Sequence, residues 1–197
     1  MSKIYQCANI ILAKNLPQKR VFYIVKMEVY DSNFVVACPI YKTMSAPRLL
    51  NFNYRGFYAY SITCNCNENK KNFIDASVVN KCVSILRQVA NEHNFYVYAY
   101  CFMHNHLHLL LASKNERSDL RKAIKLFKQK TGYWFQNKYY QKLWQRSFYD
   151  HILRKEEDLD RVARYILENP TRKRLTVNFW NYPFSGSFIM HIKDLIY

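Results

Sequence analysis

Two histidines alternate with leucines in the run Cys101-Phe102-Met103-His104-Asn105-His106-Leu107-His108-Leu109-Leu110-Leu111. In an extended strand, residues two apart share a face. His106 and His108 therefore point the same way, while Leu107, Leu109 and Leu111 pack behind them. Paired imidazoles on a rigid strand form half of a divalent-metal site. The remainder is sought in Arg164-Tyr165-Ile166-Leu167-Glu168-Asn169-Pro170. On a helix, Tyr165 and Asn169 stand one above the other, four residues apart. An amide oxygen from Asn169 beside two imidazoles gives mixed ligation with open positions, which suits magnesium or manganese better than a closed zinc site. Tyr165 then hangs next to the ion. A phenol of pKa ~10 is a weak nucleophile, but a phosphate polarised by a cation is easier to attack. Such an attack ends in a phosphotyrosine ester, which stores the energy of the broken bond for rejoining and needs no nucleotide cofactor.

The elements that must position these residues follow from pattern. Phe57 to Cys64 is β-branched and aromatic enough for a strand. Asp75 or Ser77 can cap a helix with Val78, Val79, Cys82, Ile85, Leu86, Val89 and Ala90 on a broad apolar face. Phe95 to Cys101 alternates as a second strand, and His106 to Ala112 is the histidine strand, reached by a short turn at His104 and Asn105. Ser118 caps a second helix with Leu120, Ile124, Phe127, Thr131 and Trp134 inward and a basic stripe of Arg117, Arg121, Lys122, Lys125, Lys128 and Lys130 outward. Leu143 to Arg154 reads as a fourth strand, and Glu156 to Glu168 as a third helix stopped by Pro170. Strand-helix-strand-strand-helix-strand is the ferredoxin-like, or split βαβ, order of an α+β fold. It predicts an antiparallel sheet with helices on one face and the other face open to a ligand. Residues 1–43 show no periodicity tying their apolar pieces together, and Met44 opens a start-like segment. The sequence thus divides into a peripheral extension over 1–43 and one domain over 44–197.

Charge points to the partner. Lysine and arginine number 30 against 14 acidic residues, a formal net charge of +16, and so large an excess suits a polyanion such as nucleic acid. The 17 tyrosines and 13 phenylalanines interleaved with it suit unpaired strands, where rings stack on bases and cations hold phosphates. Coding bias toward AT-rich codons accounts for part of the aromatic excess, but not for the scarcity of acids. Six scattered cysteines form no secreted framework, so a reducing, cytoplasmic setting is expected, near the bacterial nucleoid for a DNA partner. No apolar run approaches the ~20 residues of a membrane span, and no signal-peptide pattern opens the chain. Cys64-Asn65-Cys66 with His104 would be only half of a zinc site.

Four segments together resemble the REP-associated tyrosine transposases of the HUH single-tyrosine transposase and nuclease group. They are Met103-His104-Asn105-His106-Leu107-His108-Leu109-Leu110, Trp144 to Arg154 (WQRSFYDHILR), Tyr165-Ile166-Leu167-Glu168-Asn169-Pro170, and Tyr182-Pro183-Phe184-Ser185. The resemblance spans roughly residues 45–190, and its specificity lies in the conjunction of pieces that are weak singly. It implies that His106 and His108 are the metal pair, Asn169 the third ligand and Tyr165 the nucleophile. It further implies cleavage of single-stranded DNA hairpins with a 5′-phosphotyrosine and a free 3′-OH, by a monomer or a homodimer. One departure is His104, where the family usually has proline; a third imidazole there could compete as a ligand. Another is Asn169-Pro170-Thr171-Arg172-Lys173-Arg174, more basic than usual.

Candidate phosphate contacts are Arg121, Lys122, Lys125 and Lys128 from the stripe, with Arg146, Arg154, Arg172 and Lys173. Each is also an ordinary solvated charge in most proteins, and Tyr165 alone is one tyrosine among many. A hairpin-binding protein that does not cleave would use the same surface, but would have no need of His106, His108, Tyr165 and Asn169 together. A single-stranded RNA binder with Tyr96, Tyr98 and Tyr100 on an open sheet face would leave the histidines unexplained.

Overall fold

Alternating burial along the strands and a 3.6-residue period along the helices sort the chain into a sheet between two layers of helix. The computed structural model describes residues 52–153, 159–189 and 191. The extension over 1–43, the helix start at Glu156 and Arg154 lie outside the described residues.

The strands are β1 (Ala59–Asn65), β2 (Phe95–Met103), β3 (His106–Ser113), β4 (Tyr149–Ile152) and the short β5 (Ser185–Gly186), in the antiparallel order β4-β1-β3-β2-β5. The first four strands have the expected ferredoxin-like arrangement; β5 is an addition at the β2 edge. Gly186 sits there because a Cβ would come within 2.5 Å of the Tyr100 hydroxyl.

Helix α1 (Ala76–Glu92) begins where Asp75 accepts from the Ser77 backbone N–H at 2.7 Å, and all seven of its expected apolar positions are buried. Helix α2 (Leu120–Tyr139) differs at its start. Asp119 is the cap, accepting from the Lys122 N–H at 3.1 Å, whereas Ser118 is fully buried and donates to the Asn94 carbonyl at 2.6 Å. Farther along α2, Phe135 takes the inward position expected of Trp134, which is only partly buried.

Leu107, Leu109 and Leu111 join α1 and α2 in the larger core, as the alternation requires. A bulge between Val97 and Ala99 then changes the phase of β2. Phe95, Val97 and Phe102 face the leucines, while Ala99, Cys101 and Met103 face the other way. The bulge also separates Tyr96, Tyr98 and Tyr100: Tyr100 packs with the α1 and α2 layer and Tyr98 with the opposite cluster. They form no stacking row on a common face.

The opposite face is not left open. Helix α3 (Leu159–Leu167) lays Ala163, Ile166 and Leu167 on Ala99, Cys101, Met103 and Leu110. Pro170 does not stop the helical path. It occupies the first turn of a short helix, α4 (Asn169–Arg172), a position that lacks an intrahelical N–H partner anyway. The fourth strand is four residues long rather than twelve. Leu143, Trp144 and Phe148 instead bury themselves against the core, and Trp144 donates its ring N–H to the Thr131 hydroxyl at 2.8 Å.

Candidate active site

Residues His106 and His108 stand side by side on β3, on the sheet face that α3 crosses. Their Nε2 atoms are 3.1 Å apart and their rings are nearly perpendicular, with centroids separated by 4.7 Å. Each outer nitrogen has a partner. His106 Nδ1 lies 2.7 Å from the Asn105 side-chain oxygen, and His108 Nδ1 lies 3.0 Å from the Thr63 hydroxyl. The Asn105 oxygen can only accept, so His106 carries its proton on Nδ1 and presents a bare lone pair at Nε2. Two proton arrangements remain for His108. Its Nε2–H can donate to His106 while Thr63 donates to its Nδ1, or Nδ1–H can donate to Thr63, leaving a second bare Nε2. The second arrangement turns two lone pairs on one point, which is favourable only against a cation. His106 and His108 thus offer two nitrogen donors of the kind a divalent ion takes, and among the described residues no cluster of three or more histidine, cysteine or carboxylate side chains accompanies them.

Burial drives both imidazoles toward the neutral state that a metal ligand requires. Desolvation, with a smaller contribution from the nearby Lys173 charge, lowers the pKa of His106 to about 4. Desolvation followed by repulsion from His106 lowers that of His108 to about 3. Neither Thr63 nor Asn105 was among the expected site residues, and polar residues beside histidines are too common to be a signal. Strand register carries the information: Thr63 lies directly opposite both His108 and Tyr149, so these three share a rung on one face.

The expected nucleophile and third ligand lie together on α3 and α4. The Asn169 amide nitrogen donates back to the carbonyls of Tyr165 and Ile166, at 3.1 and 3.2 Å, so its side-chain oxygen is the atom left for a ligand. The Arg172 guanidinium sits over the Tyr165 ring, 4.1 Å from the centroid, and is anchored by Glu168 at 2.9 Å. Lys173, one residue on, is close enough to His106 for its charge to be felt there.

Residues Arg121, Lys122, Lys125 and Arg146 are exposed and line one groove on the α2 side. Lys128 departs from expectation. Its ammonium donates to the carbonyls of Gln145 at 2.7 Å and Ser147 at 2.6 Å, so it braces the groove wall instead of presenting its charge outward. Cys64 and Cys66 are fully buried in the larger core, and desolvation raises their thiols to about 11 and about 12. His104 remains in the β2–β3 turn, its carbonyl accepting from the Phe73 N–H at 3.0 Å.

Comparison with known proteins agrees with this architecture. The family model described as transposase IS200 like matches residues 58–169, more than half of the chain, and the chain belongs to that family. A Haemophilus influenzae protein assigned as a REP-associated tyrosine transposase is 28% identical over 160 residues, covering 75% of this chain and 88% of that one. A solved structure described as a REP-associated tyrosine transposase bound to a REP hairpin is similar with a TM-score of 0.58 at 19% identity, covering 72% of this chain and 82% of the other. The expected resemblance to the REP-associated tyrosine transposases and the α+β sheet-and-helix fold therefore both stand. Among the described residues, no helix is long and apolar enough to cross a membrane.

Proposed function

We propose that this transposase cleaves and rejoins single-stranded DNA at hairpin sites by transesterification on Tyr165. The observation that carries the reading is the convergence of His106 Nε2 and His108 Nε2, 3.1 Å apart, on the sheet face crossed by the helix bearing Tyr165. The hairpin substrate is suggested by the related structure described as bound to one. The Tyr165 hydroxyl oxygen attacks phosphorus, the bond to the 3′ oxygen breaks, and the phenolic proton ends on that oxygen. One phosphate ester replaces another, so the reverse attack by a 3′-OH reseals DNA without a nucleotide cofactor. A divalent ion such as Mg²⁺ or Mn²⁺, held by His106, His108 and Asn169, would supply positive charge against the phosphate oxygens. Arg172 fixes the Tyr165 ring from above, and Lys173 adds a phosphate contact beside the imidazoles. The work takes place beside DNA in the cytoplasm, by a monomer or by a homodimer.

Incubating end-labelled hairpin DNA with the full chain and Mg²⁺ or Mn²⁺, then running a denaturing gel, tests this reading. The expected product is a slow band carrying the 5′ phosphate, absent with Tyr165→Phe. No such band from the unaltered chain, with hairpin binding intact, would make a non-cleaving hairpin-binding protein the better account. A band that survives Tyr165→Phe would move the nucleophile elsewhere, first to Tyr149 on the His108 rung.

A further inference from the structure

We propose that the groove between α2 and residues 142–148 is a separate binding site for unpaired nucleotides of a DNA strand, with a base stacked on Tyr133. It rests on the single-stranded DNA reading above and adds where the strand runs outside the cleavage site.

The groove has a volume of about 760 Å³, within the range of sites that take one small-molecule-sized group. That accommodates a nucleotide or two, not a length of duplex. Its rims are cationic, with Arg121, Lys125, Lys142 and Arg146 all exposed along it. Among the described residues the one carboxylate in its lining is Asp119, which already caps α2 and pairs with Arg55 at 3.4 Å. Tyr133 stands in this field with 71% of its surface exposed, which is unusual for an aromatic residue on a helix whose other face is core. Cations spaced for phosphates around an accessible ring match the requirements of sequence-tolerant single-strand binding. Duplex DNA would satisfy the cations but offer the ring no base.

The groove lies on the α2 side of the sheet, away from the imidazoles, and one segment joins the two places. The Gln145 N–H donates to the Asn65 carbonyl at 2.9 Å, and Asn65 is directly opposite His106. Four residues later, Tyr149 is opposite Thr63, the partner of His108. One short segment of the chain therefore runs from the groove wall at Gln145 to the His108 rung at Tyr149. Lys128 holds that segment by two carbonyls and Trp144 holds it to Thr131, so the wall is preformed.

The test uses a short single-stranded oligodeoxynucleotide without self-complementarity, carrying one fluorescent adenine analogue, and the full chain with Tyr165→Phe to prevent turnover. Binding should quench the analogue. Tyr133→Ala should weaken binding about fivefold to a hundredfold and abolish the quench, while Tyr133→Phe, which keeps the ring, should retain both. Lys142→Gln should lower the slope of log affinity against log salt by about 0.7. Equal affinity of Tyr133→Ala and its parent, or equal competition by blunt duplex of the same sequence, would overturn the proposal. The two readings fail separately: hairpin adduct with no Tyr133 effect removes only the groove, whereas quenching with no adduct removes only cleavage.

Discussion

The Nε2 atoms of His106 and His108 face each other at 3.1 Å, and each outer nitrogen meets an oxygen, from Asn105 at 2.7 Å and Thr63 at 3.0 Å. With the His108 proton on Nε2, every group in this four-residue chain has a partner. A change of tautomer, with the Thr63 hydroxyl turning from donor to acceptor, bares the second lone pair against the first, an arrangement that only a cation beside both relieves.

The first prediction concerns pH. Burial lowers both histidines, to about 4 and about 3, so between those values and an ordinary ~6.5 the unfolded chain binds protons that the folded chain does not. Stability should therefore be unaffected above pH ~6.5 and fall as the pH drops below it, by about 1 kcal/mol per pH unit for each histidine. Denaturant midpoints measured from neutral pH downward should show this slope shrink when both histidines are replaced by glutamine. Manganese affinity should stay flat down to about pH 5.5, because neutral imidazoles have no proton to release; a solvated pair would begin losing affinity near ~6.5.

The second prediction tests the oxygens behind the imidazoles. Thr63→Val keeps the shape of the side chain but deprives His108 Nδ1 of its partner, and Asn105→Ala does the same to His106. Removing such partners costs about 10- to 100-fold in metal affinity, measurable by titration with manganese. Thr63→Ser keeps the hydroxyl and should restore most of the affinity. Unchanged affinity in Thr63→Val would mean that packing alone orients the ring.

Much of this site was legible in the sequence, for reasons of period. The two-residue repeat of β3 puts both imidazoles on one face, and the 3.6-residue repeat of α1 names all seven of its buried positions. The bulge at Val97–Ala99 was not legible, because no glycine or proline marks it, and with it went the division of Tyr96, Tyr98 and Tyr100 between environments. The placement of α3 on the histidine face was hidden for a related reason. Its partners Ala99 and Cys101 change side only once the bulge exists. Thr63 is paired with His108 by register across forty-five positions, which no local pattern encodes.

The third prediction separates chemistry from positioning at Tyr165. Tyr165→Phe should bind DNA and manganese as before and form no adduct, since only the attacking oxygen is lost. Arg172→Gln removes both the guanidinium over the Tyr165 ring and the Glu168 pair. It should slow adduct formation at saturating DNA by about 10- to 100-fold, the usual consequence of a displaced reacting group. If Arg172→Gln weakens only DNA affinity and leaves the saturated rate alone, the arginine is a phosphate contact and nothing more.

The last prediction distinguishes two lysines one turn apart on α2. Lys125 is exposed on the groove rim, whereas Lys128 donates to two backbone carbonyls of the facing segment. Lys128→Met keeps the aliphatic stem and deletes both contacts, leaving carbonyls that were satisfied by an ammonium. An acceptor left unsatisfied in a partly buried place costs about 1–3 kcal/mol, so the denaturant midpoint should fall with little change in the m-value. Lys125→Met should stay within about 0.5 kcal/mol of the parent, as surface substitutions do, yet lower the salt dependence of single-strand binding by about 0.7. The opposite pattern, with Lys128→Met stable and Lys125→Met silent in the salt titration, would return Lys128 to the phosphates and remove it from the wall. That outcome would also loosen residues 145–147, the stretch that links the groove to β1 beside His106.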